Sequence, residues 1–109
     1  MIEVKLYWGI RAVRGFSVSG HADCSPRGSD IVCSAVSTLA QTAVLALQSV
    51  AGVTPHWSRQ EGMLECIIPS DLCQDSSEKA QTVLKTIITG IENIAQHYPQ
   101  HVTVTTKEV

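Results

Sequence analysis

The stretch DIVCSAVSTLAQTAVLALQSVA, residues 30–51, carries the strongest periodic signal in the chain. Val32, Val36, Leu39, Ala43, Leu47 and Val50 recur at steps of three and four, the spacing that lines up apolar side chains on one helix face. Ser34, Thr38, Gln41 and Gln48 fall off that stripe. Asp30 is a suitable N-cap and Gly52 stands where a C-terminal glycine is expected, so the pattern predicts a helix over 30 to about 51. Residues 31–50 are the closest approach to a membrane span, but their Ser, Thr and Gln content marks a buried helix of a globular domain.

Working outward, residues 1–8 alternate strictly. Ile2, Val4, Leu6 and Trp8 face one way, and Glu3, Lys5 and Tyr7 the other, which predicts a half-buried strand. Residues 9–15 read as a connection with Arg11 and Arg14 in solvent, and a second strand runs over 16 to about 20. HADCSPRGS, residues 21–29, has Pro, Gly and small polar residues and no apolar period, so it reads as a loop. A loop of that length in a small domain is often functional.

Beyond the long helix, 53–59 and 63–69 read as two short strands around Gln60-Glu61-Gly62. Ile67 and Ile68 make the second apolar on both faces, as in a central strand. Asp75 and Glu78 have capping-box spacing, with Ser76 or Ser77 as other caps. Val83, Leu84, Ile87, Ile91 and Ile94 then stripe a second helix ended by Tyr98-Pro99. Val and Thr alternate over 102–106 in a last strand. The order is β-β-α-β-β-α-β, a strand pair and helix repeated in shape but not in sequence. The expected fold class is α+β, a small single domain over 1–109 with two helices packed on a mixed or antiparallel sheet.

Composition narrows the function. The chain has 109 residues, 44% hydrophobic and 17% charged, with a net charge of -2. Disorder is excluded by that apolar content, and the absence of a basic block argues against a general nucleic-acid binder. Residues 1–10 lack a basic start followed by an apolar run, so no export signal is expected. Its four cysteines, Cys24, Cys33, Cys66 and Cys73, are then expected as reduced cytosolic thiols.

Cys33 falls three residues after the expected cap Asp30, in a first turn where free amides and the helix dipole favour a thiolate. A nucleophile also needs a base. His21 opens the same loop that ends at the helix, so a thiolate–imidazolium pair is geometrically reasonable, while His56, His97 and His101 have no such partner in sequence. Other readings stand beside this one. A cysteine near an apolar helix is commonly core packing. His21, Cys24 and Cys33 could hold a metal, although their spacing matches no common zinc pattern. Cys24 and Cys33 could act in thiol transfer, although CxxC is absent. Asp30 caps the helix or orients His21. Ser37, one turn beyond Cys33, bonds its own preceding turn or the site.

Gly20-His21-Ala22 followed by Gly28-x-Asp30-Ile31-Val32-Cys33-Ser34-Ala35-Val36-Ser37 resembles the Prp family of bacterial ribosomal-processing cysteine proteases, whose pattern is G-H-A, a glycine-containing loop and G-x-D-[IL]-V-C-A-A-V-S. Ser34 stands where the family carries alanine, and Cys24 lies outside the pattern. The resemblance implies Cys33 as nucleophile, His21 as base, and Asp30 and Ser37 as supporting residues. Gly20, Ala22 and Gly28 would shape a substrate loop over 22–29 that closes on substrate, with Gly28 its hinge. It implies removal of an N-terminal extension from a large-subunit ribosomal protein (number twenty-seven), cut after an apolar, aromatic-containing segment, by a cytoplasmic homodimer needing no cofactor or metal and no nucleic acid or membrane. Backbone amides at the helix start near Cys33 are the expected oxyanion donors. The rival is a non-enzymatic ribosome-associated factor with structural His21 and Cys33.

Overall fold

The computed structural model describes the backbone of residues 1–20 and 27–109 and the side chains of 1–20 and 31–109. Its elements are β1 (Ile2–Trp8), β2 (Val13–Ser19), α1 (Arg27–Ser49), β3 (His56–Gln60), β4 (Met63–Ile67), α2 (Gln74–His97) and β5 (Val102–Glu108). The element order is the one expected. The strands form one sheet in the order β3-β4-β2-β1-β5. All neighbours are antiparallel except β1 and β5, which run parallel, so the sheet is mixed.

Register explains the core. Val4 pairs with Val18 and Leu6 with Phe16, and these in turn meet Leu64 and Cys66. Strand side chains alternate between faces, so these apolar residues share one side. The same buried cluster takes in Val36, Ala40, Ala43 and Leu47 of α1 and Leu84, Ile87 and Ile91 of α2. Both helices therefore lie on one face of the sheet. The inward stripe of α1 is spent in this core, whereas Ile31 and Leu45 on its other side are exposed, as is Val50 just past its end, which the apolar spacing had placed on the stripe. Leu39 of α1 packs toward Gly90 of α2, where an added Cβ would come within 3.2 Å of the leucine.

Several boundaries differ from expectation. β2 begins at Val13, not 16. Val13 is completely buried, and its N–H and C=O both bond the Gln81 carboxamide of α2, at 2.9 and 2.8 Å. A helix side chain thus supplies a strand's hydrogen bonds beside the register shift at Tyr7–Trp8, a long-range contact that no local pattern announces. Arg14 is not simply in solvent: its Nη2 donates to the carbonyl of Ile68 at 2.9 Å. β4 is second from the edge, and β2 occupies the centre. α2 starts at Gln74 with Cys73 as N-cap and no side-chain cap bond, leaving Asp75 in its first turn, where a carboxylate suits the helix dipole. α1 starts at Arg27, so Asp30 lies inside the helix and is not its cap.

On the opposite face Tyr7 pairs with Gly15, which has no side chain to obstruct the ring. The Tyr7 hydroxyl donates to Glu65 Oε2 at 3.0 Å. Burial raises the Tyr7 pKa above its ordinary value and pushes the Cys66 thiol from 9.0 up to about 11. Both shifts favour the neutral form in the folded state, so the stability they contribute is present below the unfolded values and lost as pH rises. The urea midpoint should fall as pH climbs from 9.0 to about 11, and Cys66→Val should flatten that part of the profile. An unchanged slope in the variant would remove Cys66 as a cause.

Candidate active site

Cys33 is the seventh residue of α1 and is partly buried. It opens onto a cleft of about 120 Å³. Helical spacing puts Val36, Ser37, Ala40 and Gln41 on the same wall. Ile2, Val18 and Leu64 form an apolar floor from the sheet, and the β3–β4 hairpin closes the far side with Arg59, Gln60, Gly62 and Met63. The cleft exists because the helices do not reach β3, all five of whose residues are exposed.

Ser37 lines this cleft and its Oγ accepts a hydrogen bond from Gln41 Nε2 at 2.8 Å. That differs from Thr42, Thr82, Thr86 and Thr89, whose hydroxyls donate to the carbonyl one turn back. Among the described residues the Ser37 hydroxyl accepts from Gln41 and donates to none, so its proton can serve a group in the cleft. Gly20, directly after β2, lines the same cleft. Its φ of +91° suits glycine, and an added Cβ would sit 2.2 Å from the carbonyl oxygen of Met1. Its N–H donates to Gly62 at 3.1 Å, tying the strand end to the hairpin tip.

His21, Ala22 and Cys24 lie outside the described residues, as does the side chain of Asp30. The expected loop 22–29 is therefore described only in part. Residues 27–29 are helical, and Gly28 is the second residue of α1, not a loop hinge. Two inferences about Cys33 change with the earlier helix start. A seventh-position amide is already bonded within the helix, since only the first four are free, so the backbone N–H of Cys33 is no oxyanion donor. The dipole also falls off within the first turn, which Cys33 has left. The helix-start environment belongs instead to Cys73, an exposed thiol at the α2 N-cap whose pKa is lowered chiefly by the Ser76 hydroxyl and backbone N–H beside it. Among the described residues, no three His, Cys, Asp or Glu side chains cluster as metal ligands would.

Known proteins decide the chemistry. The family model described as cysteine protease Prp matches residues 1–103. The chain belongs to the Prp family. The ribosomal processing cysteine protease Prp of Bacillus subtilis (strain 168) is 30% identical over 98 residues, 88% of each protein. The crystal structure of SMU.848 from Streptococcus mutans superposes with a TM-score of 0.87 at 32% identity, covering 100% of this chain and 96% of that one. The S. aureus ribosomal processing protease Prp, solved with a substrate peptide, gives a TM-score of 0.85 at 22% identity, covering 98% and 100%, and shares this fold. The chain is accordingly a cysteine protease, and the reading as a non-enzymatic factor falls.

Sequence reasoning missed Gln41 and Arg59. Gln41 was legible in principle, four residues beyond Ser37 and eight beyond Cys33 on one helical stripe. Arg59 was not, because its place depends on a hairpin docking beside α1.

Two outcomes follow from this geometry. Iodoacetamide at about pH 7.5 should modify Cys73 and Cys33 in the native protein and leave Cys66 untouched until it is unfolded; peptide mass mapping that finds native Cys66 labelled would contradict its burial. Gly20→Ala should lower the thermal midpoint, by about 1–3 kcal/mol of backbone strain, and a midpoint equal to that of the parent would show that the junction tolerates a side chain.

Proposed function

We propose that this protease removes the N-terminal extension of a large-subunit ribosomal protein (number twenty-seven), with Cys33 as nucleophile and His21 as base. The observation that carries the site assignment is the shared cleft: Cys33 opens into it and Gly20, one peptide bond from His21, forms part of its wall. The substrate assignment rests on the motif Gly20-His21-Ala22 with Gly28 to Ser37 and on the ribosomal-processing relatives.

The Cys33 thiolate attacks the scissile carbonyl carbon, and protonated His21 gives its proton to the departing amine. Water then adds to the thioester with His21 as base, and the C–S bond breaks. A tetrahedral oxyanion forms in both halves and needs donors. The Ser37 hydroxyl, held by Gln41, is one that faces the cleft. Asp30, near the start of α1, orients His21. The apolar floor of Ile2, Val18 and Leu64 suits the apolar segment that precedes the cut. The enzyme works in the cytoplasm as a homodimer and needs neither nucleic acid nor membrane, in keeping with its net charge of -2.

Cys33→Ala and His21→Ala should each reduce cleavage of the precursor by about a thousandfold or more, with Cys24→Ala active. Ser37→Ala should lower kcat more than it changes KM. Equal cleavage by the parent and Cys33→Ala would end the nucleophile assignment. The substrate is checked separately, by mass spectrometry of the ribosomal protein's N-terminus in cells depleted of the enzyme. A mature terminus in depleted cells would overturn it.

A further inference from the structure

Arg59 is the one charged residue among the described lining of the Cys33 cleft. It pairs with Leu64 across the β3–β4 hairpin, and Leu64 is buried in the core. Cross-strand partners project to the same face. Arg59 therefore points to the helix-bearing side, where β1, β2 and β4 place Ile2, Val18 and Leu64. Among the described side chains no carboxylate lies within 4.0 Å of its guanidinium, the single ion pair being Asp75–Lys79. An edge-strand cation discourages strand pairing and its methylene stem can cover apolar surface; the guanidinium head remains to meet whatever occupies the cleft that Arg59 lines.

The reaction itself creates an anion there. When water cleaves the thioester, one proton goes to sulfur, the other to the base, and the acyl fragment leaves with a new carboxylate beside Cys33. We propose that Arg59 is a product-binding residue that holds this newly formed carboxylate of the N-terminal fragment. The proposal rests on Cys33 being the nucleophile. In a cleft of about 120 Å³, a fragment seated at Cys33 also meets the hairpin wall. A guanidinium matches a carboxylate with two parallel hydrogen bonds, whereas an uncharged peptide carbonyl in the same place offers one acceptor atom. Arg59 thus discriminates product from substrate and slows release of the fragment.

The probe is the N-terminal fragment of the precursor peptide used for cleavage, made with a free C-terminal carboxylate or with a C-terminal amide. As inhibitors of the parent enzyme, the carboxylate form should bind about tenfold more tightly than the amide. In Arg59→Gln that preference should shrink to near unity, mainly through weaker binding of the carboxylate form, and Arg59→Lys should keep part of it. No preference in the parent, a preference intact in Arg59→Gln, or equal weakening of both peptides would each overturn the proposal. A Cys33→Ala protein that still cleaves would overturn the nucleophile assignment and this proposal with it; an inactive one, with no effect at Arg59, overturns this proposal alone.

Discussion

Two helices cannot cover five strands, and the site depends on that mismatch. Helices side by side sit about 10 Å apart, and strands about 4.8 Å apart. A helix pair therefore shields roughly four strands. The shielded set is β5, β1, β2 and β4, whose inward residues join a single core. β3 remains uncovered, with Trp57 half exposed on it. The step between the flank of α1 and the uncovered hairpin becomes the cleft onto which Cys33 opens. A third helix, or a sheet one strand narrower, would remove it.

The central strand holds both ends of this arrangement. At one end Gln81 grips the backbone of Val13 and fixes α2 to the sheet. At the other, Gly20 bonds the hairpin tip at Gly62 and passes closely over Met1. The cleft wall is thus made of backbone contacts between elements far apart in sequence. Three thiols in one chain show how far such surroundings separate chemically identical groups. Cys66, in the core, is held protonated by desolvation. Cys73, at a helix start, is drawn toward the thiolate by donors. Cys33 faces a cavity.

What the sequence made legible followed from short-range periodicity. The alternation of Ile2, Val4 and Leu6 and the stripe through Val36, Ala43 and Leu47 sufficed for element type, order and core. The pairing partners were not legible, because they depend on which edges meet. Val13 and Arg14 looked like loop residues because their hydrogen bonds lie in α2 and beyond β4. The start of α1 was placed three residues late because Asp30 is a good cap by residue type, and type alone does not say whether the turn before it is already helical. In the cleft, the residues on α1 could be listed from helical spacing. Those on the hairpin, Arg59 above all, required the fold.

The earlier start of α1 changes the surroundings of Cys33. A thiol at the third position would receive free amides and the positive end of the dipole. At the seventh it receives neither, and its own amide is committed to the helix. Activation of Cys33 as the proposed nucleophile must then come from side chains facing the cleft. This shifts the burden onto the proposed partner His21 and onto donors such as Ser37. Position in the helix and access to a cleft are thus separated in this chain: Cys73 has the helix-start position and faces open solvent, whereas Cys33 has a cleft. A hydrolase needs a place for the peptide as well as a thiolate, and among the described cysteines Cys33 has one, at the uncovered edge of the sheet.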